Sequence, residues 1–579
     1  MAADPSNSEL AAALDELGDL NELDGAIVHR VVAYRTAAKA IRESPRPVAP
    51  LVRAGTVTEL PGIGKTLEEK LTALLDTGTI PAAEKLRAKF PPGVVAMTRL
   101  PGLGPKRARR LYDELGIDSL DALRAAAQAE RIRDLSGFGP KAESSILEAL
   151  DAGAGDAPRA RVTLPTALET GEQILRGLLD EPAVERVELA GSARRAADDV
   201  KDLDVVVASE DPEAVVAAFA ALDVIAGSDR GGEAGSHGRT QNGLEVDLRI
   251  VPPDRFGNLL QHFSGSKAHN VHLREMAVRR GLHVSEHGIL DDATGETHRF
   301  ATEEEVYAHL GLPYVEPELR EDRGELEPGF EPPDLVSVAD LRGDLHCHTV
   351  ASDGKNTIEE MALAARERGL EYLAITDHSA SHGFGDDVSA DALRRHAEAV
   401  REVGARLDGI TLLAGSEVNV MPDGGLDYED ALLDELDWVI ASVHTAFRMD
   451  GAQMTARIVR ALEHPLVDAL GHPTGRLIGR RAGYALDVGA VIDAAARTGT
   501  MLEINSAPDR RDLDDIHARE AAAAGVRILI DSDAHRTATL ANTRWGVLTA
   551  RRAWLPAAAI ANTLPWEQFA PLRKRVSAA

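Results

Sequence analysis

Alternating and clustered apolar residues mark the strands of this chain. KDLDVVV (201–207) and LEVDLRIV (244–251) alternate with period two, which predicts two strands, with Asp202 and Asp204 on one face of the first and Asp247 on the second. Further on, YLAIT (372–376), ITLLAG (410–415), WVIAS (438–442) and VRILI (526–530) are short β-like runs. The N-terminal third is punctuated by glycine instead. LPGIGKTLEEKL (60–71) predicts a turn through Gly62 and Gly64 and a helix from near Thr66. The plan returns at RLPGLGPKRARRLYDELGI (99–117) with Gly102 and Gly104, and at LSGFGPKAESSILEAL (135–150) with Gly137 and Gly139. Proline and glutamate crowd residues 313–334, which predicts a linker with little core of its own.

The polar positions at these elements carry chemistry. Asp202, Asp204 and Asp247 can form a three-carboxylate cluster of the kind that holds two divalent cations for phosphoryl transfer. Backbone amides at Gly191 and Ser192, with Arg194 and Arg195 close behind, can receive phosphates. The three glycine turns are helix-hairpin-helix signatures, whose amides approach a nucleic-acid backbone while a nearby Lys or Arg adds charge. In the C-terminal half, His346 and His348 occupy alternate positions of an expected strand and Asp353 follows in a loop. His378, Glu417, His444, His472, Asp533 and His535 come after short strands, so the nine side chains converge at one mouth of a barrel. Imidazole with carboxylate suits Zn2+, Mn2+ or Fe2+, and clustered ions can activate water and clamp a phosphate. Cys347 points to the opposite face and reads as packing; Asp377 and Asn505 read as partners that orient ligands.

Composition bounds the picture. At 579 residues the chain divides into several domains, and 44% hydrophobic with 27% charged residues is ordinary for globular protein. No apolar run is long enough to span a bilayer, and the acidic start lacks the features of a signal peptide, so a cytoplasmic protein without membrane partners is expected. The single cysteine, Cys347, fits a reducing compartment. A formal net charge of −30 argues against simple nucleic-acid binding without excluding it, and local basic islands stand at HRVVAYRTAAKAIRESPRP and PKRARR. Lysine is confined to positions 39, 65, 70, 85, 89, 106, 141, 201, 267, 355 and 574, a balance that resembles proteins of salt-loving organisms. That hypothesis fails if the purified protein works best in dilute buffer and loses activity at high salt.

GSARR, KDLDV, LEVDLRIVP and HFSGSKAHNVHLR together resemble, in order and spacing, the palm and thumb of the family X DNA polymerases, the DNA polymerase beta group. The resemblance implies that Asp202 and Asp204 bind two Mg2+ or Mn2+ ions and that Asp247 binds the one nearer the primer 3′-hydroxyl. It places Gly191, Ser192 and Arg195 at the triphosphate, Gly265 at the incoming sugar, and Asn270 and Arg274 at the minor groove of the nascent pair and the template. His262-Phe263 stands where several members carry an aromatic pair beside the sugar, which leaves discrimination against ribose open. The first basic island resembles the small domain that grips a 5′-phosphate: His29, Arg30 and Tyr34 align with phosphate-binding residues and Lys70 with the Schiff-base amine of the 5′-deoxyribose-phosphate lyase.

Residues 340 to 579 resemble the polymerase and histidinol phosphatase (PHP) domain. This implies a distorted seven-stranded barrel with up to three ions. His346, His348, Glu417 and Asp533 would hold the first, Glu417, His444 and His472 the second, and Asp353, His378 and His535 the third. The expected architecture is multidomain α/β: a helical lyase-like domain (1–85), a helix-hairpin-helix domain (86–155), a palm (156–255), a thumb (256–317), a linker (318–336) and a PHP barrel (337–579). The implied activity is gap filling in base excision repair on gapped or nicked DNA with deoxynucleoside triphosphates, by a monomer. The PHP domain would act as a 3′–5′ exonuclease, 3′-phosphatase or abasic endonuclease. Two alternatives stand beside it: a phosphoesterase with an idle palm, and a non-catalytic scaffold that binds DNA ends.

Overall fold

The computed structural model describes residues 4–44, 46–100, 102–151, 161–230, 235–381 and 388–574. The expected boundary at 155/156 lies outside them. The chain separates into two compact units, one formed by Met1–Val162, Thr166–Leu189 and Lys201–Pro253, the other by Thr163–Pro165, Ala190–Val200 and Asp254–Ala579.

The first unit opens with helices Asn7–Leu23, Val28–Glu43 and Lys65–Thr77, packed around Leu10, Leu14, Leu17, Ile41 and Leu71. The second helical cluster, around Val94, Leu103, Leu111, Leu123 and Phe138, contains helices Pro105–Leu115, Leu120–Gln128 and Pro140–Asp151. A five-stranded sheet follows, in the order Arg186–Leu189, Asp202–Ala208, Glu245–Val251, Gly235–Thr240, Ile225–Arg230. Its central pair, Asp202–Ala208 and Glu245–Val251, is parallel. Leu203, Val205, Val246, Leu248 and Ile250 are buried, while Asp202, Asp204, Glu245 and Asp247 lie on the less covered face. The alternation in sequence is therefore the alternation of faces.

In the second unit, helices Phe256–Ser264, Lys267–Val278 and Glu303–His309 and a three-stranded antiparallel sheet close over Leu273, Ile289, Val306 and Tyr307. The same core contains Val315, Leu319 and Leu326, so the stretch expected to be a linker with little core is packed. Its acids misled the reading because they are partners rather than solvated charges. Glu325 meets His269 at 2.7 Å and Glu318 meets Arg551 at 2.6 Å. Arg320, fully buried, pairs with Glu303 over the rings of Tyr307 and Tyr314.

Seven parallel strands then run in sequential order: Gly343–Asp344, Tyr372–Ile375, Thr411–Asn419, Trp438–Ser442, Ala469–Leu470, Met501–Asn505 and Ile528–Asp531. Alternate residues divide between two cores. Leu373, Ile375, Val439, Ala441, Leu502 and Ile504 pack with the helices, whereas Tyr372, Ala374, Trp438, Ile440 and Met501 cluster with Leu529 and Phe569. The seam between first and last strands nearly closes: Leu345 N donates to Asp531 Oδ1 (2.9 Å), Ser532 N to Asp344 Oδ1 (3.1 Å) and His348 N to the Ala534 carbonyl (2.8 Å). Burial pushes the Asp344 carboxyl up to about 6. His346 and His348 lie just past the first strand rather than within it, on extended chain tied by a Cys347–Ala534 bridge.

Candidate active sites

All nine residues read from the strand ends meet at one mouth of the barrel. Glu417 is central: its Oε1 lies 2.8 Å from His472 Nε2 and 3.1 Å from His444 Nε2, its Oε2 2.7 Å from His378 Nδ1 and 3.4 Å from His346 Nε2. Asp533 Oδ1 lies 3.1 Å from His348 Nε2 and 3.6 Å from His346 Nε2. Asp353 lies 3.2 Å from His535 Nε2 and 3.8 Å from His378 Nε2. Three groups can each surround one ion: His348, Asp353, His378 and His535; His346, His348 and Asp533; His378, Glu417 and His444. His348 and His378 are thus shared more widely than the family grouping suggests.

The fit to cations is physical. His346 Nε2 and His348 Nδ1 are buried without hydrogen bonds. Donor atoms around a tetrahedral ion with bonds of ~2.0–2.1 Å stand about 3.3 Å apart, which is the spacing here. The other ring nitrogens are engaged: His346 Nδ1 stands 2.7 Å from Glu503 Oε1, and His535 Nδ1 2.9 Å from the Asp533 carbonyl. Such contacts orient each ring with Nε2 toward the site, where a bound ion would take the place of its proton. His472 and Asp533 take positive φ values, 29° and 51°, unusual for these residues and found at the two turns that aim them inward.

Electrostatics prepares the ligands. Burial, helped by neighbouring imidazoles, pushes His348 down to about 4, and burial with Arg510 pushes His472 down to about 3, so both are neutral at pH 7. Burial opposes ionisation of Glu417, but His444, His378 and His346 hold it well below the usual carboxylate range. Burial likewise opposes charge on His535, yet its hydrogen bond to Asp353 and the charge of Asp533 carry it up to about 9.

Asp377 accepts from Thr349 N and Oγ1 and from Ser352 N and Oγ, so it shapes the loop that delivers Asp353. Asn505 Nδ2 donates to Asp533 Oδ2 at 3.0 Å. Cys347 is buried, its Sγ donating to the Ala374 carbonyl. Sequence reasoning missed Glu503 and Arg510. Glu503 lies two positions before Asn505 on one strand, so alternation would have found it. Arg510 Nε stands 3.8 Å from Asp533 Oδ2.

In the first unit, Asp204 pairs in register with Asp247, and Asp202 with Glu245. Four acids therefore share one face of two adjoining strands, Glu245 being the one the sequence reading did not name. Asp247 Oδ2 accepts from Arg249 at 2.8 Å; its Oδ1 is buried without a hydrogen bond and lies 3.3 Å from His237 Nδ1. An orphaned carboxylate oxygen on a sheet face that also carries Asp202 and Asp204 suits a divalent cation.

In the second unit, Gly191 and Ser192 begin the short helix Gly191–Arg194. Arg194, read as a phosphate receiver, is engaged by Glu303 at 2.7 Å and Ser264 Oγ at 2.6 Å. Arg195 pairs with Glu321 at 3.1 Å and lies against Gly265, where a Cβ would come within 3.1 Å of its Nη1. Asn270 donates to the His262 carbonyl (2.7 Å) and Arg274 reaches His262 Nδ1 (3.1 Å), with Phe263 stacked obliquely 5.3 Å from the His262 ring.

The three hairpins have one geometry. Gly62, Gly102 and Gly137 take φ of 81°, 77° and 85°, and the amides of Ile63, Leu103 and Phe138 donate to the carbonyls of Leu60, Leu100 and Leu135. Gly64 and Gly104 are the N-caps of their helices and Gly139 immediately precedes Pro140–Asp151, without side-chain caps at the first two. First-turn amides are thereby left for an anion. His29 and Arg30 are exposed at the start of helix Val28–Glu43, and Tyr34 and Lys70 are half-buried. Arg35 and Arg42 of the same basic island pair with Asp19, Glu22 and Asp15, and Lys39 pairs with Glu43.

Known proteins resemble the chain in four segments and, in one case, over almost its whole length. Residues 5–80 match the helix-hairpin-helix domain, 94–152 the SAM-like helix-hairpin-helix tandem, 259–321 the DNA polymerase beta thumb and 344–507 the PHP domain. The chain is 36% identical over 566 residues, 97% of its length and 98% of the relative's, to the DNA polymerase/3′-5′ exonuclease PolX of Bacillus subtilis (strain 168). It is also 32% identical over 203 residues, 33% of its length and 78% of the relative's, to a probable phosphatase of Thermoanaerobacter sp. (strain X514). A probable phosphatase of Shewanella sediminis (strain HAW-EB3) is 30% identical over 242 residues, 40% of this chain and 94% of that one. The sheet of paired acids, the thumb and the histidine-lined barrel define a nucleotidyltransferase joined to a metal-dependent phosphoesterase. The chain belongs to the PolX family, the family X DNA polymerases with a C-terminal PHP domain.

Proposed function

We propose that this protein is a DNA-directed DNA polymerase that fills short gaps in base excision repair, and that its PHP centre is a 3′–5′ exonuclease that clears blocked 3′ ends. The observation that carries the reading is the register of Asp204 with Asp247, which puts them beside Asp202 on one sheet face. Asp202, Asp204 and Asp247 would hold Mg2+ or Mn2+, which when bound activates the primer hydroxyl and neutralises the triphosphate. Ser192 and Arg195 bind triphosphate oxygens, Arg195 exchanging Glu321 for phosphate, while the His262, Asn270 and Arg274 network orients the nascent pair. At the barrel, the eight residues of the three clusters, with His472 beside Glu417, would hold up to three ions of Zn2+, Mn2+ or Fe2+, and Arg510 steadies the phosphate beside Asp533. No described helix is long and apolar enough to cross a membrane; the reading extends to a cytoplasmic monomer acting on gapped or nicked DNA.

Primer extension on a one-nucleotide gap, with Asp204→Ala and separately His346→Ala, tests both halves. Synthesis is lost in the first variant only and end trimming in the second only; extension by Asp204→Ala at the wild-type rate refutes the palm assignment. Lys70 is proposed as the lyase amine, and an undiminished borohydride-trapped adduct in Lys70→Ala removes it from that role.

A further inference from the structure

Four consecutive residues after Arg194 are gripped by arginines of the barrel. The Arg195 carbonyl accepts from Arg552 Nη1 (2.6 Å), the Ala196 carbonyl from Arg511 Nη2 (3.1 Å) and the Ala197 carbonyl from Arg511 Nη1 (3.1 Å). The Asp198 carboxylate then meets Arg476 Nη1 at 2.7 Å and Arg511 Nη1 at 3.3 Å. Arg511 is wholly buried, and its Nε donates to Thr549 Oγ1, so every nitrogen of its guanidinium has a partner. A buried guanidinium tolerates no vacancy among its acceptors, which makes this seat specific for the 195–198 segment.

The grip reaches further in both directions. Arg552 Nη1 also donates to Glu321 (2.9 Å), the counter-ion of Arg195, and so weakens the hold of Glu321 on the Arg195 side chain. Arg476 Nε donates to the Arg510 carbonyl and its Nη2 to that of Arg511, so the loop after Asn505 supports the clamp while Arg510 stands beside Asp533.

We infer that Arg476, Arg511 and Arg552 of the barrel are positioning residues for the polymerase reaction, holding through Asp198 and the 195–197 carbonyls the segment that presents Ser192 and Arg195 to the nucleotide triphosphate. This rests on the polymerase reading above. The phosphoesterase domain is then a structural part of nucleotide binding, and the two activities share one chain for a mechanical reason.

The test uses full-length Asp198→Asn and Asp198→Glu in single-nucleotide gap filling, with KM for the deoxynucleoside triphosphate and kcat measured separately. Phosphate release from p-nitrophenyl phosphate with Mn2+ reports on the barrel. Asp198→Asn is expected to raise KM about tenfold, the worth of one charge-assisted hydrogen bond, with kcat and phosphate release within about twofold of wild type. Asp198→Glu, which keeps the charge, is expected to restore KM to within about threefold. An unchanged KM in Asp198→Asn overturns the proposal, as does a parallel fall of both activities, which would mark a merely structural contact. If the wild-type protein incorporates no nucleotide, the polymerase reading has failed and the proposal with it.

Discussion

Glu503 Oε1 stands 2.7 Å from His346 Nδ1, and both side chains are fully buried. The other oxygen of Glu503 accepts from the His472 amide at 2.6 Å, so one carboxylate orients two of the proposed ligands. Glu503→Gln keeps the shape but removes the charge that makes His346 a stronger donor. Loss of such a partner typically costs about 10–100-fold in metal affinity. Titration of phosphatase activity with Mn2+ is expected to show that shift, with gap filling unaltered.

The sheet face offers four acids, and the proposed reaction calls on three. Glu245 lies opposite Asp202 but its carboxylate turns toward Arg239, 4.0 Å away on the neighbouring strand, whereas Asp247 keeps one oxygen without a hydrogen bond. Asp247→Asn is expected to lower kcat for nucleotide addition by at least ~10³-fold, an electrostatic loss of about 4 kcal/mol. Glu245→Gln is expected to stay within a few-fold of wild type. Equal losses in the two variants would reassign the metal site.

These contrasts show what the chain made legible. Strand-end histidines and acids could be read because most of them follow a short apolar run, and alternation put Asp202 with Asp204. Glu503 is legible only through Asn505, two positions on along Met501–Asn505; taken alone, its place in LEINSAP looks like one more polar residue. The 318–336 segment was misjudged because prolines and glutamates signal solvent, and nothing local announces that Glu318 and Glu325 have partners at Arg551 and His269. The arginine clamp on Ala196–Asp198 was invisible for the same reason: its two sides lie some 280 to 315 residues apart in sequence.

The hairpins make a prediction that separates geometry from charge. Gly102 holds φ at 77°, where an L-residue is strained by roughly 1–2 kcal/mol, so Gly102→Ala is expected to lower both Tm and affinity for gapped DNA. Lys106 and Lys141 follow the second and third turns, and Lys65 the first. Replacing any one by Ala is expected to leave Tm within error and to reduce the slope of log Kd against log salt by about 1. A salt slope unchanged in all three would remove the hairpins from the phosphate contacts.

His269 sets a pH limit on the thumb. It is buried between Glu325, 2.7 Å from Nδ1, and the Tyr307 hydroxyl, 2.8 Å from Nε2, an arrangement satisfied by the neutral ring. Burial pulls its pKa below 6.5 despite the hydrogen bond to Glu325, with Arg320 adding to the depression. The unfolded chain therefore takes up a proton near pH ~6.5 that the folded thumb refuses, so stability is complete above that pH and falls as pH drops through it. His262 and His309, depressed in the same direction by burial, add to the slope. Amide exchange across residues 256–326, corrected for its intrinsic rate, is expected to quicken between pH 7.5 and 5.5, and His269→Gln to flatten that dependence while lowering Tm. Faster exchange at the alkaline end would mean that the ring is held as a cation by Glu325, and the thumb would then be stabilised by acid instead.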